Sequence, residues 1–92
     1  MKINEIIRSV YENTLTEGGN RLKWVDVIDR IHARSGKKIS QATLSDRLKN
    51  ENMTMNTAIE ILDTMGYDVM VVPREKGRET YKVEMGEKRR GV

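Results

Sequence analysis

Between Ile39 and Asn50 the chain reads ISQATLSDRLKN. Gln41 offers an amide that donates and accepts at once, Ser45 a hydroxyl that does either, Asp46 two acceptor oxygens, and Lys49 an ammonium that only donates. Ala42 adds a small apolar contact. If the segment is a helix with Leu44 and Leu48 turned inward, these five side chains share its outward side, because positions three and four apart stack on one face. That set suits recognition of patterned polar edges rather than bond-breaking. Nucleophilic or acid–base catalysis draws most often on histidine or cysteine, and neither stands among them.

The rest of the chain adds little catalytic chemistry. His32 is the one histidine and lies at the end of an apolar helical stripe, where a structural or solvated role is usual. Gly18 and Gly19 lack the flanking pattern of a phosphate-binding loop. The absence of cysteine excludes thiolate zinc fingers, iron–sulfur centres and disulfide frameworks, and it suits a reducing compartment. The expectation is therefore a protein that is not an enzyme and needs neither cofactor nor metal. The first residues, MKINEIIRSVYENT, hold no long apolar run, and no stretch approaches the roughly 18 to 20 apolar residues of a membrane span. A cytoplasmic location is expected. The Asn52-Met53-Thr54 sequon carries no weight without a secretory signal.

Four helical patterns must position the polar face. Ile3, Ile6, Ile7 and Val10 form the first stripe, ending before the loop TEGGN. Asn20 is the expected N-cap of the second, whose inward residues are Trp24, Val27, Ile28 and Ile31, and Gly36 stops it. Ser40 caps the third, with Ile39 as a staple residue. Thr54 caps the fourth, which turns Ala58, Ile59, Leu62 and Met65 inward and stops at Gly66. After Gly66 the period shortens. YDVMVV is apolar on both faces, Pro73 and Gly77 bracket a charged turn, and YKVEM alternates, so a β-hairpin follows. The expected fold is mostly α, a bundle of four to five short helices over residues 1–68, with a C-terminal β-hairpin at 69–86 in the same compact domain. Residues 87–92 are expected to form a flexible basic tail.

Charge is unevenly distributed. Residues 37–50 carry a net +3, residues 51–70 a net −4 with no cation, and residues 71–92 a net +3. A polyanion is drawn to the polar helix and to the tail, and repelled from the segment between them. The hairpin poses a separate demand. A strand apolar on both faces wants cover on both sides, four short helices cover one, and Pro73 favours an edge. A second copy of the chain is the simplest cover, so a homodimer is expected through Val69, Met70, Val71, Val72, Tyr81 and Val83.

The stretch SQATLSDRL, with KNENMTMNTAIEILDTMGYDVMVVPR after it, resembles the helix-turn-helix regulators of the phage repressor and Cro-like (Xre-type) class, in particular small members from phage and mobile elements. SQATLSDRL is also similar to the corresponding stretch of LacI-type repressors. The resemblance spans residues 3 to about 66 and is most specific over 39–56. It implies a dimeric, sequence-specific regulator of transcription, a repressor, whose helix at residues 40–50 enters the major groove of an inverted-repeat operator. Carried over by position, Gln41, Ala42 and Asp46 touch bases, and Ser40 and Thr43 lie toward phosphate. Ser45 and Lys49 join the base-facing set because they share the outward face, and Lys37 and Lys38 join the phosphate set because they approach the helix start. One departure is that Gly36 stands four residues before Ser40 where the family commonly has two, so the turn is longer. A rival reading keeps the scaffold and replaces DNA with a protein partner, as in inhibitors of host defence enzymes, using the acidic segment 51–70 as the contact surface.

Overall fold

The computed structural model describes residues 1–86. It is mostly helical: α1 (Ile3–Glu12), α2 (Trp24–Ser35), α3 (Gln41–Lys49) and α4 (Met55–Thr64) precede β1 (Val69–Val71) and β2 (Tyr81–Val83). The two strands pair antiparallel with Val69 opposite Val83, Met70 opposite Lys82 and Val71 opposite Tyr81. The expected fold class is thus observed, with four helices among the described residues. No helix there is long and apolar enough to cross a membrane.

Helix ends follow local chemistry. Ser40 Oγ accepts the Thr43 N–H at 3.1 Å, and Thr54 Oγ1 accepts the Thr57 N–H at 3.2 Å, so both expected hydroxyl caps form. Gly36 adopts the left-handed conformation at φ 74° that ends α2, and its N–H returns to the His32 carbonyl at 2.9 Å. Gly66 does the same after α4 at φ 81°. The start of α2 differs from expectation. Asn20 is not its cap; it closes the loop, accepting the Thr16 N–H at 2.7 Å on its backbone carbonyl. Lys23 takes the cap position, and its N–H donates to the Asp26 carboxylate at 2.9 Å. A carboxylate three positions into the helix satisfies a cap-position amide as well as a cap side chain satisfies the amides after it.

The core gathers Ile7 from α1, Leu22 before α2, Val27, Ile28 and Ile31 from α2, Leu44 and Leu48 from α3, and Ala58, Ile61, Leu62 and Met65 from α4 and its end. Three positions depart from the expected stripes. Ile6 lies at the edge and is exposed, Ile59 is only half-buried, and Ile61 is buried in its place. The α4 stripe is rotated because that helix packs against both α1 and α2, so its inward arc is set by two neighbours rather than one. Trp24 is half-buried and stacks on Tyr11, ring centroids 3.6 Å apart and planes within 3°, which ties α2 to α1.

The hairpin is held mainly at its base. Val69 packs on the core, while Met70, Val71, Val72 and Tyr81 are exposed; Val71 and Tyr81, paired on one face, are 57% and 61% accessible. Each strand is three residues, shorter than the apolar run suggests. Beyond β2 the chain returns to α4, where the Asn56 side chain accepts the Gly86 N–H at 2.9 Å and donates to the Gly86 carbonyl at 3.3 Å.

Candidate nucleic-acid interface

Burial of Leu44 and Leu48, 2% and 8% accessible, fixes the rotation of α3 about its axis. Gln41, Ala42, Ser45, Asp46 and Lys49 all stand on the exposed side. The five side chains singled out by type therefore do share one face. α3 lies against α2 and α1, and Ile39 and Leu44 seat its first turn on the core.

The longer turn is built, not loose. The Ser35 hydroxyl donates to the Ile31 carbonyl at 2.9 Å and accepts the Lys37 N–H at 3.2 Å, so the chain leaves α2 in a set direction after Gly36. Lys37, Lys38 and Ser40 are exposed along the approach to α3, and Thr43 is half-buried. The Ser40 and Thr43 hydroxyls bond each other at 3.0 Å, which uses one hydroxyl proton and leaves the other for an outside acceptor. The first turn of α3 contains no carboxylate, and its leading amides have no intrahelical acceptor. Such an end attracts an anion.

Two cations that sequence patterns did not single out border the same face. A groove of about 420 Å³ runs between α3 and the start of α2, lined by Arg8, Lys23 and Trp24 on one wall and by Gln41, Ser45 and Lys49 on the other. Val25, half exposed, also lines it. Its charged residues are all basic. Arg8 lies one position past the buried Ile7 of α1, and only the packing of α1 beside α3 brings it here. Lys23 was detectable in principle: an Asp three positions beyond it signals the helix start that Asn20 only mimicked.

Ion pairing divides the surface. Glu51 pairs with Lys2 at 2.8 Å, Asp63 with Arg34 at 3.0 Å, Asp68 with Lys82 at 3.5 Å and Glu60 with Arg47 at 4.0 Å. Every carboxylate of the acidic segment 51–70 thus has a cation from another part of the chain beside it. By contrast, the side-chain nitrogens of Arg8, Lys23, Lys38 and Lys49 have no carboxylate oxygen within 4.0 Å among the described residues. Exposed pairs add little stability. They do cancel the local field of the acidic segment, whereas Arg8, Lys23, Lys38 and Lys49, which border α3, have no such partner among the described residues. Asp46 is the carboxylate on that face and is likewise unpaired among the described residues.

No group of histidine, cysteine or carboxylate side chains that could hold a metal ion occurs among the described residues. The basic tail at 87–92 lies outside them. Compared with protein-family models, curated proteins and solved structures, the chain matches none.

Proposed function

We propose that the chain is a sequence-specific DNA-binding regulator of transcription, a repressor, which reads the major groove of an inverted-repeat operator as a dimer through α3. The observation that carries this reading is the exposed polar face of α3 set among cations that have no carboxylate partner. A helix of about 10 to 12 Å diameter fits a major groove about 12 Å wide. In that position Gln41 meets an adenine edge with its amide, Ala42 a thymine methyl, and Asp46 a cytosine amino group, while Ser45 and Lys49 extend the contact along the groove. Lys37, Lys38, Ser40 and Thr43 hold phosphates at the start of the helix. Arg8 and Lys23 hold them along one flank.

The dimer forms through the hairpin. Val71 and Tyr81 on one face and Met70 on the other leave apolar surface that the chain's own helices do not cover, and Val69, Val72 and Val83 continue it. A two-fold pair of α3 helices about 34 Å apart then faces two half-sites one turn of duplex apart. The rival reading, a protein partner held by the acidic segment 51–70, is weakened because that segment's carboxylates are already paired.

Selection of bound duplexes from a random library tests the proposal. Recovery of an inverted repeat is expected. An unenriched pool, with no salt-dependent binding to any duplex, would overturn it and return attention to a protein partner.

A further inference from the structure

The hairpin leaves and rejoins the bundle at two points, and each is tied to α4 by hydrogen bonds. Before β1, Gly66 turns in the left-handed conformation and the Tyr67 N–H donates to the Leu62 carbonyl at 3.0 Å. After β2, the Asn56 side chain accepts the Gly86 N–H at 2.9 Å and donates to the Gly86 carbonyl at 3.3 Å, as a neighbouring strand would. Leu62 and Asn56 are six residues apart on one helix, so the two ties are separated by roughly 9 Å along its axis. Between them, Val83, Glu84 and Met85 border a groove of about 190 Å³ with Ile59 and Asp63. Asn56, Ile59 and Asp63 fall at i, i+3 and i+7, one stripe of α4, and the chain after β2 follows that stripe back to the start of the helix. Of the strand residues, Val69 packs on the core, and it lies close to the first tie.

In the proposed dimer the two hairpins form the joint, so the angle between hairpin and bundle sets where the two α3 helices stand relative to each other. We infer that Asn56 is the positioning residue that fixes this angle, and with it the half-site spacing that the dimer accepts. The inference rests on the DNA-binding dimer proposed above. Held only near Tyr67 and Val69, a two-stranded ribbon swings about its base. Held also at Gly86, it moves with α4. Two exposed hydrogen bonds add little to stability, so their consequence is geometric. Each added base pair moves a half-site about 3.4 Å along the duplex and about 34 to 36° around it. A rigid joint meets one spacing and loses the second half-site at the others, because the gain from two-site binding vanishes where geometry forbids both contacts at once. A loose joint reaches several spacings but must be ordered each time it binds, so its best affinity is lower. Asn56 acts through the hairpin in this arrangement, since its amide is turned to the Gly86 backbone.

The test uses the full chain and fluorescence anisotropy on duplexes that carry two selected half-sites in inverted repeat, the spacer varied one base pair at a time, beside a duplex with one half-site. Wild-type protein should prefer one spacing over its neighbours by about tenfold or more, a part of what two-site binding adds. Asn56→Ala should bind the single half-site as the wild type does and dimerise equally well by light scattering. It should nevertheless lose roughly threefold at the best spacing and prefer that spacing over its neighbours by no more than about threefold. Asn56→Asp keeps an acceptor for the Gly86 N–H and loses the donor, so its preference should fall between the two. Gly86→Ala keeps both backbone groups, and its added Cβ would stand 3.8 Å from the Asn56 amide, an ordinary contact, so it should behave as wild type. A preference as sharp in Asn56→Ala as in the wild type overturns the inference, as does a flattened one in Gly86→Ala. Equal losses of Asn56→Ala on the single half-site and on the repeat overturn it too, because they mark a general weakening and not a change of spacing. These results leave wild-type DNA binding intact and so spare the DNA-binding reading. A wild type that binds every spacing alike overturns the inference alone, and one that binds no duplex overturns both.

Discussion

At the scale of single residues, the exposed face of α3 mixes groups with different tasks, and substitution separates them. Gln41 carries an amide suited to a base edge, so Gln41→Ala should cost about 1 to 3 kcal/mol on the selected duplex and relax preference at one position per half-site. On the proposed reading, Arg8, Lys23 and Lys38 act by charge. Replacing any one with Ala should lower affinity for all duplexes similarly and reduce the salt slope by roughly 1, with the order of preferred sequences unchanged. Asp46 acts in the opposite sense to its basic neighbours. On the DNA-binding reading, this unpaired carboxylate would oppose every phosphate while accepting from one kind of base edge, so Asp46→Ala should raise affinity for scrambled duplexes and lower discrimination. Salt titration of each variant on both duplexes separates the three behaviours. If Gln41→Ala and Asp46→Ala change neither affinity nor preference, α3 is not the reading element.

At the scale of elements, the exposed polar face exists because α3 is pinned by two leucines and a cap. Leu48→Ala removes one of its two main anchors and should cost about 2 to 5 kcal/mol in thermal or denaturant unfolding, a large share of the stability of so small a domain. An unchanged melting temperature would mean that α3 is rotated and that Gln41 and Asp46 do not face outward together. Ser40→Ala should cost about 1 kcal/mol by freeing the Thr43 amide. Much of this level was legible in advance. Ser40, Thr54, Gly36 and Gly66 mark helix ends through bonds and backbone angles made within a few residues, so sequence alone locates them. Asn20 misled because a good cap residue also makes a good loop residue, and Asp26, three residues beyond Lys23, set the cap position there instead.

At the scale of the whole molecule, the hairpin is the part least covered by the rest of the chain. Its base rests on the core through Val69, while Val71 and Tyr81 stand in solvent. Since Val71 is already exposed in the single chain, Val71→Lys should leave folding intact and yield monomers by light scattering, with affinity for an inverted repeat falling toward that for a half-site. A wild-type chain that is monomeric at micromolar concentration would show that the hairpin serves another purpose.

What the sequence determined by itself was local or periodic: four helices, the caps of α3 and α4, the stops of α2 and α4, a hairpin after Gly66, and an outward face of α3 bearing Gln41, Ala42, Ser45, Asp46 and Lys49. Those features depend on interactions between near neighbours in the chain or on one repeating period. Tertiary structure decided the rest. Which arc of α4 is buried, and hence why Ile61 replaces Ile59, followed from two helices packing on it at once. Arg8 reached the groove beside α3 only because α1 lies there, 33 residues before Gln41 in sequence. The fate of the acidic segment was likewise hidden, since each carboxylate meets its cation across a distance in sequence that no local pattern encodes. Charge composition can be read along a chain, but its cancellation is a property of space.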